Sequence, residues 1–278
     1  MVLALACRGN PTTVLARLED SRRVVTDLRV HFSQAADASS RAVMADTEEA
    51  SVAAVRESKS ATDAAEKEAV VLEQLLEGLS YASETLILRD YNARFAEYRK
   101  LDSRIVTLAG ENTNLKAQAL PFGPASQAAD AFAESLRAAL STFPAEDRGP
   151  VELLVSEALL SVREIQVLHA PHIAEHDEAA MTLMEKRIAD LEAKALDALK
   201  SLGALAPPEA RPAFKDALSA LDRFKAVSAQ VVELSRNNTN WLSLDLSLRQ
   251  KPELVAACSE RLLALQEVLA REGPNSTR

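Results

Sequence analysis

The chain has 278 residues, enough for two domains that each bury a core of their own. Its formal charge is −9, and no basic stripe recurs on one face, which argues against nucleic acid and anionic membrane surfaces as partners. Aromatic residues make up only 4%, and the seven glycines and eleven prolines cluster between periodic segments. Ala and Leu are abundant, and no segment alternates polar and apolar residues as a strand does, so the composition predicts an all-α protein.

The first residues, M-V-L-A-L-A followed by Cys7, are too few for a signal peptide or a membrane span. They resemble the tail of a bacterial lipoprotein signal that begins upstream, although no basic stretch precedes them. The expected location is therefore periplasmic, with a possible lipid anchor at Cys7, and cytoplasmic as the alternative. Residues 1–10 read as a tail. No other stretch reaches 18 apolar residues, so nothing else in the sequence reads as a membrane span.

From Pro11 the apolar residues follow helical spacing. Leu18, Val25, Leu28 and Phe32 predict a first helix that runs to about Met44. Thr47, followed by two glutamates, reads as the cap of a second helix, which continues past Leu76 with Gly78 as its C-terminal punctuation. A long third helix is expected over 82–119, and P-F-G-P (121–124) should interrupt it. Ala129, Phe132, Leu136, Ala139 and Phe143 mark a fourth helix. P-A-E-D-R-G-P (144–150) reads as a linker.

The second half repeats this plan. Val151, Val155, Ala158, Val162 and Ile165 form one seam, and Met181, Ile188, Leu191, Ala195 and Leu202 form another. P-P-E-A-R-P (207–212) precedes a third helix, and a last helix starts at Pro252 and ends before Gly273. I-V-T-L-A-G-E-N-T-N (105–114) and V-V-E-L-S-R-N-N-T-N (231–240) align at an offset of 126 residues. Val255, Cys258, Leu262, Leu265 and Leu269 repeat the first half's fourth seam at the same offset, so the chain reads as an internal duplication. The expected architecture is two tandem antiparallel four-helix bundles over 11–143 and 151–272, with a tail over 273–278. Helices of about 30 residues would be roughly 45 Å long.

Asn112 and Asn238 fall on the apolar seams of their helices. There a buried amide either fixes register or faces a ligand between helices. Asn114 and Asn240 lie about 200° further round and should be partly solvated.

The segments 94–120 and 41–51, with H-I-A-E-H-D-E-A-A-M (172–181) and L-S-R-N-N-T-N (234–240) in the second half, resemble the four-helix-bundle sensor domains of methyl-accepting chemotaxis proteins. The resemblance covers about 15–272 as two copies. It implies an extracytoplasmic sensor that binds a small-molecule solute between helices and passes a helix displacement to a partner, such as a separate transmembrane receptor or a second copy in a homodimer. Asn112, Asn114, Asn238 and Asn240 carry over as the ligand-binding motif positions. The alternative is a structural or protein-interaction bundle without a small ligand.

His169, His172 and His176 share one helical face at offsets of three and four, a spacing that suits divalent metal ligands such as zinc, copper or nickel. Pro171 lies among them and should break the helix. The other reading is a hydrogen-bonded helix end. No other cofactor is indicated. No nucleophile elbow, phosphate loop or paired Glu-x-x-His occurs, so no enzyme is expected.

Overall fold

A computed structural model describes residues 11–146 and 148–272, and Cys7 and both tails lie outside them. The described chain is helical, with no strand. In order, the helices are α1 (Pro11–Met44), α2 (Glu48–Leu79), α3 (Ala82–Glu111), α4 (Thr113–Leu120), α5 (Ser126–Ser141), α6 (Arg148–Ala174), α7 (Glu178–Leu205), α8 (Arg211–Asn237), α9 (Thr239–Arg249) and α10 (Lys251–Arg271). A π-helical turn, Pro121–Ala125, joins α4 to α5, and a short 3₁₀ turn, Pro208–Ala210, precedes α8.

These helices form two compact units, and neither coincides with one sequence repeat. Among the described residues, one unit comprises 11–111 with 242–272, and the other comprises 112–146 with 148–241. The division expected at 144–150 is therefore not where the chain changes core, and α6 already begins at Arg148. Each repeat contributes its fourth helix to the other repeat's core. Ala129, Phe132 and Leu136 of α5 pack with Val155, Leu191 and Phe224, whereas Cys258, Leu262, Leu265 and Leu269 of α10 pack with Leu28, Phe32, Leu72 and Tyr91. The sequence correctly signals equivalent seams, but a seam records only that a face is apolar, not which core receives it.

The first unit is a bundle of α1, α2, α3 and α10. Thr47 caps α2 by accepting from the Ala50 amide at 3.2 Å, while the C-terminal turn is made at Ser80, with φ 58°, rather than at Gly78. The core centres on Phe32, Tyr91, Phe95 and Tyr98. Phe32 meets Tyr98 edge-on at 5.1 Å, and Tyr91 stacks on Phe95 at 5.3 Å. Such rings bury large apolar areas in favoured pair geometries. Cys258 lies among them as a buried thiol pushed up to about 12 by its surroundings.

The second unit is built from α5, α6, α7 and α8, with α4 against α8 and α6. P-F-G-P does not interrupt the rod from α4 to α5. Pro121 opens the π turn, and Pro124 lies inside it, where the wider turn accommodates a residue without an N–H donor. Gly123 precedes Pro124 and has no Cβ to collide with the ring. Likewise, α6 runs through Pro171 and ends three residues later.

The exchange of fourth helices makes a mutational prediction. Phe132→Ala should lower stability by about 3–5 kcal/mol by opening a cavity, and Trp241, the only tryptophan and part of the second unit, should report the early loss. Leu262→Ala, at about 2–5 kcal/mol, should instead destabilise the tyrosine-rich first unit. Denaturant unfolding followed separately by tryptophan fluorescence and tyrosine absorbance distinguishes the two.

Candidate functional site

The two N-T-N segments interrupt helices that the periodicity alone predicts to be continuous. Asn112 and Asn238 both adopt the left-handed conformation, with φ 53° and 48°. Asn is among the few non-glycine residues that enter this region readily. Each break starts a new helix, α4 or α9, whose first amides have no acceptor within their own chain turn.

The other copy supplies those acceptors. The Thr113 amide donates to Thr239 Oγ1 at 3.2 Å, and the Thr239 amide donates to Thr113 Oγ1 at 3.1 Å. The hydroxyls themselves lie 3.2 Å apart. One residue further on, the Asn114 amide donates to Asn240 Oδ1 at 3.1 Å and the Asn240 amide to Asn114 Oδ1 at 3.3 Å. The arrangement is a two-fold exchange of helix caps. Remaining capacity goes to the end of α6, whose last carbonyls also lack helical partners. Asn114 Nδ2 donates to the Ile173 carbonyl at 3.0 Å and to Asn238 Oδ1 at 2.9 Å, and Asn238 Nδ2 donates to the Glu175 carbonyl at 3.1 Å.

This geometry revises the expectation for the motif. Asn112, Asn114 and Asn238 are buried and Asn240 half-buried, so Asn114 is not on a solvated face. Asn114, Asn238 and Asn240 spend their amide groups on backbone and on one another, as a register-fixing device does, rather than converging on an open pocket. Trp241 is partly exposed and stacks on His176 at 4.8 Å.

The histidines do not converge either. His169 is buried and pairs through Nε2 with Ser228 Oγ on α8 at 3.0 Å. His172 is also buried, but its Nε2 lies 3.1 Å from Glu185 Oε1 on α7. His176 follows the end of α6 and turns to Trp241. Among the described residues, no group of three or more His, Cys, Asp or Glu is placed to hold a metal ion. His169, His172 and His176, expected to share one face as metal ligands, are therefore not brought together, because the helix ends before His176. Instead, Glu185 ties three helices together. Arg236 of α8 grips it with Nε at 2.6 Å and Nη2 at 3.0 Å, which with the His172 contact holds the carboxyl below its ordinary range.

A group that the sequence did not single out lies in the first unit. Asp102 of α3 is buried beside Lys251 of α10, their nearest atoms 4.0 Å apart. Lys251 donates to the Ala36 carbonyl at 2.8 Å and to Ser40 Oγ at 2.9 Å, and Ser58 donates to Asp102 Oδ2 at 3.3 Å. Burial raises the Asp102 pKa and lowers that of Lys251, since both charged forms lose hydration. Asp102 and Ser58 also line a cavity of about 490 Å³ between α2 and α3, whose rim carries Lys59, Arg99 and Lys100. Arg99 is partly engaged by Glu66. Asp102 lies three residues before Ile105 and four after Tyr98, on the apolar seam; that is the sequence signal that could have exposed it.

Compared with known proteins, the chain matches no family model and no curated protein. Among the described residues, no helix is long and apolar enough to cross a membrane.

Two predictions follow from the crossover and the buried imidazole. Asn238→Gly keeps the positive φ but loses both side-chain hydrogen bonds and should lower stability by roughly 1–3 kcal/mol, whereas Asn238→Val should lower it further by adding backbone strain; thermal unfolding measures both. Burial holds His169 neutral down to about pH 4, below its ordinary 6.5. Between those values the unfolded chain binds the proton first, so stability present above about pH 6.5 falls on acidification. The slope is at most about 1.4 kcal/mol per pH unit. Denaturation midpoints across that range should show the fall, and His169→Gln should flatten it.

Proposed function

We propose that this protein is a sensor-like binding protein that takes a small solute between helices of its first unit and passes the event to a separate partner. The observation that carries the reading is the buried Asp102–Lys251 pair beneath a polar cavity. In a bundle interior, such a pair is often no more stabilising than aliphatic residues of similar volume. Ionisable groups shifted by burial and placed at a cavity wall are candidates for function. The resemblance to chemoreceptor sensor domains supports the same reading, with the ligand residues moved from the asparagines to the α2–α3 cavity.

The chemistry of the lining selects the solute class. Lys59, Arg99 and Lys100 give the rim positive potential in a chain of net charge −9, while Asp63 and Asp102 supply acceptors. A small zwitterion or carboxylate meets both, its carboxylate at the rim and any ammonium or hydroxyl toward Asp102. Binding would change the field on Asp102, and so its hold on Lys251 of α10. A ligand acts in this way only through unequal affinity for two helix packings. Placement outside the cytoplasm, with or without an anchor at Cys7, belongs to this proposal and rests on the resemblance alone.

Calorimetric titration of the purified chain with amino acids and with small mono- and dicarboxylates tests it. Saturable binding to one class is expected. It should weaken at least tenfold in Asp102→Asn and in Arg99→Ala while surviving Asn240→Ala, with circular dichroism checking the fold. Absence of heat from every class, or binding indifferent to Asp102 and Arg99, would contradict the proposal. An interaction role draws support from a different feature, the exposed apolar face of α6.

A further inference from the structure

Helix α6 buries Val151, Val155, Ala158, Val162 and Ile165 and ought to present polar residues outward. It does not. Leu153, Leu160 and Val167 stand 74%, 60% and 72% exposed, and their spacing of seven places them along a single outward line. Phe122, in the π turn, is 87% exposed. Together with Pro121, Val167, Ala170, Ile173 and Ala174, it borders a groove of about 610 Å³ in the second unit. Single exposed aliphatic residues are ordinary, but a heptad line of them ending in an apolar groove is the pattern of a helix that lacks its partner helix.

We infer that this face binds the same face of a second copy, with the two α6 helices antiparallel about a two-fold axis at Leu160. The argument for a second copy rather than another protein is charge complementarity within the stripe itself. Turning α6 about Leu160 sets Leu160 against its own counterpart and Leu153 against the other copy's Val167. The same rotation sets Glu157 against the other copy's Arg163, and this pair forms twice. Both residues are exposed in the single chain. Among the described residues, Arg163 reaches Gln166, at 3.0 Å on its own helix, and Asp130, at a loose 3.9 Å. Each copy's Leu153 then arrives beside Val167, at the mouth of the groove walled by Phe122 and Ala170. The surface is self-complementary in shape and in sign, which a two-fold interface requires. In a parallel arrangement of equivalent residues, Arg163 would face Arg163 and Glu157 would face Glu157, and repulsion would disfavour it.

Sedimentation velocity of the full chain over a range of concentrations tests this. The wild type should show a reversible dimer, and Leu160→Glu should be monomeric with unchanged helicity, since the replaced side chain is exposed. Glu157→Arg alone should weaken dimerisation by roughly tenfold or more by turning two attractive pairs repulsive, and the double variant Glu157→Arg with Arg163→Glu should restore it. A wild type that stays monomeric at every concentration overturns the inference. A dimer that survives Leu160→Glu, or a double variant no better than the single one, overturns it equally. None of these outcomes depends on solute binding, so the two proposals stand or fall separately.

Discussion

A helix that stops and restarts leaves bare amides behind, and this constraint shapes the molecule at Asn112 and Asn238. Either break by itself would bury unsatisfied donors, at roughly 1–3 kcal/mol each. Here the duplicated segments meet, and each threonine and asparagine accepts from its counterpart's backbone. Neither break is complete without the other. The motif is therefore kept twice for a reason of geometry, and the chain passes from one unit to the other at the first break and just after the second.

The remaining polar burial divides into two kinds. Around Glu185 the charges are well matched: a two-pronged arginine, itself anchored on the Thr182 hydroxyl, and an imidazole hold one carboxylate, and three helices are fixed together. Around Asp102 they are not. The lysine is nearer a carbonyl and a serine than the carboxylate, and burial works against both charges. Well-satisfied networks serve rigidity. A poorly matched pair at a cavity wall suits an element whose partners change when something binds.

Much of the fold was legible in the sequence, for identifiable reasons. Periodicity located the helices because their buried faces are continuous, as along Val155, Ala158, Val162 and Ile165. The duplication was legible because seams and N-T-N share one offset. The exchange of α5 and α10 was not legible, since both seams are equally apolar and either core accepts them. The break at Asn112 was hidden because its side chain lies on the seam of an ideal helix; only the left-handed tolerance of asparagine hinted otherwise. The histidine triplet misled in the opposite direction. Its spacing is correct for one face, but Ala174 ends the helix before the third ring.

For the candidate site, the sequence pointed to the asparagines and passed over Asp102, a carboxylate set among apolar seam residues and therefore costly to bury. The most direct test of the crossover is amide hydrogen exchange at Thr113, Asn114, Thr239 and Asn240, resolved by NMR. All four should exchange as slowly as core amides, and Asn114→Ala should release the amide of Asn240 in the opposite copy. Rapid exchange at these positions in the wild type, as at an ordinary helix start, would contradict the reciprocal capping on which this account of the fold depends.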